Sequence, residues 1–168
     1  MTTATRLFFI LLITTSSTYS CISVKLSGTG GDAKRAAGVQ YVEPGNGFVK
    51  EASPDVDMAW RQPTSGNVIS YISDCQDITD PTLDSIVQGT MSGLNSLAIE
   101  SSQTQMVQER EGRRVLASGK VDGVPSKVEL LVFKRNSCIY ILSYVGVEKA
   151  FTKNQTDFDK FTRGFRAP

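Results

Sequence analysis

No histidine occurs among the 168 residues. That absence removes the side chain that most often acts as a general base near neutral pH, and with it every Ser-His and Cys-His nucleophile pair. It also removes the commonest zinc ligand. Catalysis by Asp, Glu, Lys or Tyr stays open, but the balance moves away from an enzyme. Cysteine is scarce: Cys21, Cys75 and Cys138, with no CxxC pair. Three scattered thiols without histidine make a poor ligand set, so neither a metal nor a cofactor is expected. Charge of one sign is not in excess either. Lys+Arg number 18 and Asp+Glu 17, and cleavage before Cys21 would remove Arg6 and leave the two equal. Such a balance offers no electrostatic ground for nucleic acid as a partner. The densest charge cluster, "EREGRR" (109–114), reads as a solvated hairpin tip.

What remains suits one domain. The apolar fraction of 40% can fill a core, and the 21% of charged residues can cover it. The first twenty residues are different in kind. Arg6 precedes "LFFILLI" (7–13), which is followed by the small, polar "TTSSTYS". A charged start, a short apolar run and a small-residue exit read as a signal peptide over 1–20. The run falls far short of the roughly 20 residues that span a bilayer. A buried N-terminal strand or helix is the alternative.

"TYSC" (18–21) resembles a bacterial lipobox, with the small Ser20 before Cys21. It departs from the usual pattern at Thr18, where Leu is favoured, and at the bulky Tyr19. The resemblance implies that Cys21 is acylated and becomes the first residue of the mature chain. Ile22 stands where an inner-membrane retention signal has Asp, which implies the outer membrane, facing the periplasm or the surface. Cleavage nearby without lipid is the other outcome. Lipidation would also resolve the odd cysteine count. Cys75 ends "NVISYISDC" and Cys138 begins "CIYILSY", two strand-like runs whose ends can meet, and exported proteins are oxidised. A Cys75–Cys138 disulfide is expected, two free buried thiols being the alternative.

Residues 21–46 are rich in Gly, Ser and Ala and read as a flexible tether. "GTGGDAK" (28–34) lacks the full spacing of a phosphate loop and is read as linker. A single α+β domain is expected over 47–168. "DMAWRQ" (57–62) and "NVISYISDC" (67–75) read as a hairpin across "PTSG". "TLDSIVQGTMSGLNSLAI" (82–99) has helical period, with Leu83, Ile86, Val87, Met91, Leu94 and Leu97 near one face and Asp80 or Thr82 as cap. Four strand-like runs follow, 102–111, 113–121, 126–134 and 137–145, with turns expected at Gly112, "DGVP" and "RN". The last two are apolar on both sides and need cover on both sides. A terminal helix should bury Phe151, Phe158, Phe161 and Phe165 and expose Asp157, Asp159, Lys160 and Arg163. "NQT" (154–156) matches a glycosylation acceptor by chance.

The order from Arg113 to Phe165, "RRVLASGKVDG…SKVELLVFKRNSCIYILSYVG…FTKNQTDFDKFTRGF", resembles the C-terminal half of the PsbP-like superfamily. The resemblance covers about a third of the chain. It implies an antiparallel sheet flanked by helices, an α-β-α sandwich, and a function as an envelope adaptor or assembly factor. No catalytic or metal residue carries over from it.

The leading expectation is therefore a non-enzymatic, lipid-anchored envelope protein that meets the membrane through its anchor and binds an envelope protein partner. Trp60 with Arg61 is a candidate contact, since Trp and Arg are enriched at binding hot spots, although a core position for Trp60 is the plainer reading. A small-molecule carrier would need an apolar pocket between sheet and helix. An enzyme would have to use the clustered carboxylates Asp74, Asp77 and Asp80, which also read as a polar loop with a helix cap.

Overall fold

The computed structural model describes residues 34–76 and 80–168. The signal peptide, Cys21, most of the expected tether and Asp77 lie outside the described residues. Among the described residues seven strands form one sheet: β1 (Val49–Glu51), β2 (Met58–Arg61), β3 (Val68–Asp74), β4 (Asn95–Val107), β5 (Arg110–Val121), β6 (Val124–Arg135) and β7 (Cys138–Val147). Their order is β1-β2-β3-β7-β6-β5-β4, and every pair is antiparallel. Helix α1 (Leu83–Met91) precedes β4, while α2 (Glu148–Phe151) and α3 (Gln155–Gly164) follow β7. The expected α+β class is what is found.

The long strands are joined by two-residue turns, which force their neighbours to run antiparallel. Gln108 and Glu109 both take positive φ, as do Asp122 with Gly123 and Asn136 with Ser137. The first turn therefore ends three residues before Gly112, not at it. Gly112 is inside β5, where a Cβ would lie 3.0 Å from Val107 and 3.2 Å from the Val132 carbonyl oxygen. Close backbone packing needs the glycine there, and the turn is made by two residues with no such signature.

Helix α1 is shorter than its period suggests. Thr82 caps it, its Oγ accepting from the Ser85 N–H at 3.1 Å, and Ile86, Val87 and Met91 are buried. It stops at Met91 because Gly89 and Gly93 weaken continuation and residues 95–99 gain a sheet partner in β5 instead. Leu94 packs over Gly119 as expected of a core residue. Leu97 does not, being in β4 and 42% exposed.

Strands β6 and β7 alternate between two buried clusters. Leu131, Phe133, Tyr140, Leu142 and Tyr144 join Phe151, Phe158, Phe161 and Phe165 on one face. Val128, Leu130, Val132, Ile139 and Ile141 join the α1 residues on the other. The four phenylalanines are all within 1% of full burial, each contributing about 1.5–3 kcal/mol over its exposed state. Phe151 closes α2, one turn before α3, and Phe165 lies just beyond it.

Asp157 breaks the expected helix pattern: it is buried. Its carboxylate accepts from Asn46 Nδ2 at 2.5 Å and from Asn154 Nδ2 at 3.3 Å. Buried Asn67 donates through Nδ2 to Tyr144 Oη at 2.8 Å and to the Ala150 carbonyl at 2.9 Å. Its amide occupies the space a side chain at Gly146 would need. Asn154, the acceptor of the chance glycosylation triplet, is buried in this network. These bonds tie the β2–β3 turn and the segment before β1 to the helical layer.

Residues 34–46 correct the tether boundary. Lys34 accepts at its carbonyl from the Cys75 N–H at 2.8 Å, and the Ala36 N–H donates to Ser73 Oγ at 2.8 Å. Arg35 pairs with Asp57 at 3.2 Å. Gln40 and Arg166 exchange backbone hydrogen bonds at 3.0 and 2.7 Å. The segment is a strap across the helical layer, fixed by Tyr41 against Trp60 and Tyr71, because aromatic contacts outweigh the glycine content that suggested a linker.

Candidate functional site

Strand β4 stands apart from the rest of the sheet. Its first ten residues, Asn95–Thr104, are exposed, and it buries only Val107. Helix α3 packs on β7, and α1 on β5 and β6, so the outer strand overhangs both layers. On the α3 side the overhang leaves an open cleft of about 250 Å³ whose walls include Gln105, Gln108, Arg114, Thr162, Arg163 and Arg166.

Arg114 is the fixed element of this cleft. Its Nε donates to Glu129 at 2.7 Å, its Nη2 to Asp159 at 2.5 Å, and its guanidinium lies 5.7 Å from the Phe158 ring centre. Burial opposes its charge, yet the bonds to Asp159 and Glu129 prevail and raise its pKa. Glu129 is further held by Gln155 at 3.0 Å. The "EREGRR" cluster is thus only partly a solvated tip: Arg114 is held here, and Arg113 reaches across the other face to Asp84 at 2.9 Å. Arg163 is exposed and makes no ion pair with another described residue, while Arg166 spends Nη1 on the Arg163 and Phe165 carbonyls. The arrangement offers donors to an extended polar chain or a carboxylate. A second cleft, about 450 Å³ and open to solvent, lies beside Lys50, Ala52, Pro54, Asp57 and Met58.

The residues singled out from sequence scatter. Cys75 and Cys138 are bonded to each other, as expected. Trp60 is 1% exposed and packs its ring against Phe161 and Tyr41, so it is core and not a partner contact. It is covered by the strap and α3, neither of which the sequence placed over it. Arg61 points to the other face and pairs with Glu51 at 2.8 Å. Asp74 accepts from the Gln76 N–H at 2.9 Å, and Asp80 pairs with Lys134. Among the described residues no group of three or more His, Cys, Asp or Glu is placed to hold a metal. The helical period of residues 95–99 hides the overhang of β4 in the sequence. The alternating polar run "SQTQMV" was the available signal, read as a strand but not as an edge.

Four tyrosines titrate above the ordinary value. Burial raises the pKa of Tyr71 and Tyr144 most, and that of Tyr41 and Tyr140 less. The neutral phenol is the form the fold accepts. Stability from these groups is complete below the unfolded tyrosine value of 10.0 and is lost as pH rises through the folded values. We expect a melting temperature that is level between pH 7 and 9 and declines steeply above pH 10. Tyr144→Phe should blunt the alkaline decline but cost about 1–3 kcal/mol at pH 7, since Asn67 loses an acceptor and the Phe151 carbonyl a donor. Thermal melts across that pH range test both.

No protein-family model and no curated protein matches the chain. Solved structures do. LpqN of Mycobacterium tuberculosis, described as involved in cell envelope biogenesis, is 10% identical, with 83% of this chain and 87% of that one covered at a TM-score of 0.59. The cyanobacterial PsbP protein CyanoP of Synechocystis is 16% identical, with 91% of this chain and all of that one covered at a TM-score of 0.53. At such identities the likeness is one of fold. The fold, an antiparallel sheet with α1 between β3 and β4 and with α2 and α3 after the central strand β7, is like that of CyanoP.

Proposed function

We propose that this protein is a non-enzymatic binding or assembly module of the bacterial envelope, its sheet the middle layer of an α-β-α sandwich, held at the outer membrane through acylated Cys21. One observation carries the binding role: the interior on both faces of the sheet is filled with packed apolar side chains, while the β4 overhang and the cleft beside Arg163 are left open. A filled interface between sheet and α1 favours this reading over a small-molecule carrier. The envelope role ascribed to LpqN, on a related fold, supports the location. The disulfide suits an exported chain.

The anchor is tested by feeding cells an alkyne fatty acid. The wild-type chain should take the label and pellet with membranes, and Cys21→Ala should lose the label and be released. Equal labelling of the two would overturn the anchor. The binding role is tested separately with a photo-crosslinking residue at Arg163 in the intact envelope. An adduct with a second envelope protein, absent when the probe sits at Val49 on the far edge, is expected. No adduct at Arg163 would overturn the cleft as a binding surface.

A further inference from the structure

We infer that the outer edge of β4 is a self-pairing edge, through which two copies of this chain join their sheets. A free strand edge presents a row of unpaired N–H and C=O groups, and proteins guard such edges with short strands, charges, proline or bulges. The far edge obeys: β1 has three residues, two of them Lys50 and Glu51. The first half of β4 obeys as well, with irregularities between Asn95 and Ala98 and between Ile99 and Ser101, and with Glu100 paired to Lys127 at 2.8 Å. The second half does not. From Ser101 to Val107 the strand runs without a bulge against β5, and Ser101–Gln108, "SSQTQMVQ", carries no charge and no proline. Among the described residues no strand pairs with its outer side. Met106 is 68% exposed.

The chemistry of this stretch selects a second copy. A partner chosen by charge would need charges to meet, and the stretch has none. Two copies placed antiparallel about a twofold at Thr104 bring Gln103 opposite Gln105 and Ser102 opposite Met106, with Glu100 facing the neutral Gln108. Glutamine amides both donate and accept, so Gln103 and Gln105 complement themselves across such an axis. Neither makes a side-chain hydrogen bond to another described residue. The antiparallel arrangement is the isologous contact a twofold dimer requires, and it closes both edges at once. With α3 seated over β7, the overhang leaves room for the added strand. Two seven-stranded sheets then become one, and the two Arg163 clefts come to lie on the same face.

The test uses the full chain in its own envelope. Thr104→Cys, oxidised in cells, should give a disulfide-linked species at twice the chain mass, and Val49→Cys on the opposite edge should not. Adding Ser102→Lys and Met106→Lys places ammonium groups opposite each other twice and should cut the linked species at least tenfold. Replacing that pair by Ser102→Glu with Met106→Lys sets opposite charges across the axis and should restore it. The three side chains changed on β4 and Val49 on β1 are all exposed, so the melting temperature serves as a folding control. No linked species with Thr104→Cys, an undiminished one with the lysine pair, or an adduct of another mass, which would mean a different protein's strand, each overturns the proposal.

Discussion

Trp60→Ala is expected to lower the free energy of unfolding by about 3–5 kcal/mol. The indole is 1% exposed and lies at the junction of three elements. Tyr41 of the strap stands 5.3 Å from it edge-on, and Phe161 of α3 stands 5.5 Å away. Truncation removes the largest fully buried side chain and leaves a cavity that these rings can collapse into only by moving the strap. For a domain of this size each kcal/mol shifts the melting temperature by roughly 4 °C, so a fall of roughly 12–20 °C should follow. Trp60→Phe should cost less, because the indole N–H finds no hydrogen-bond partner among the described residues and its removal orphans none of their groups. Urea titration of the three proteins decides the matter. A melting temperature lowered by less than roughly 3 °C, with loss of partner capture, would return Trp60 to the surface role suggested by its residue type.

Removing the disulfide should rank next. Cys75 and Cys138 are 63 residues apart, and closing such a loop restricts the unfolded chain by about 4 kcal/mol at most. The bond joins the first residue beyond β3 to the first of β7, at the sheet end where the Cys75 N–H also holds Lys34. Cys75→Ser with Cys138→Ser should therefore lower stability and loosen the strap together. Amide exchange should show the Ala36 and Gln40 N–H groups losing protection before those of β6. Reductant should bring the wild-type melting temperature down to that of the double variant and leave the variant where it is. A wild-type protein indifferent to reductant would show that the bond contributes nothing.

The sequence was most informative where one physical demand dominated. Strands β6 and β7 are apolar on both sides, and that alone required cover on both faces. The phenylalanines at 158, 161 and 165 obeyed their spacing. The cysteines paired because two strand ends with thiols had one plausible meeting place. The sequence misleads where two demands compete. Residues 95–99 have helical period, but β5 needed a neighbour, and pairing prevailed over local pattern. Gly112 looked like a turn and was instead a close contact, while Gln108 and Glu109 took the strained turn unmarked. Residues 34–46 were composed like a linker, and only three-dimensional proximity to Trp60, Tyr71 and Phe161 shows why Tyr41 holds them down. Asp157 was placed outside because its partner, Asn46, is 111 positions away. The open strand β4 was legible as polar alternation but not as an edge, since strand order is set by contacts far apart in the chain.

The strap also fixes how the domain answers mechanical load. Any pull entering through the chain before Lys34 reaches the Lys34–Cys75 hydrogen bond and the Arg35–Asp57 pair first. Those contacts lie beside the covalent cross-link between β3 and β7, which holds the two central strands together while the strap is pulled away. A tug on the N-terminal side would strip the strap one contact at a time, at low force, and expose Trp60 and Tyr71 while the sheet behind them stayed whole.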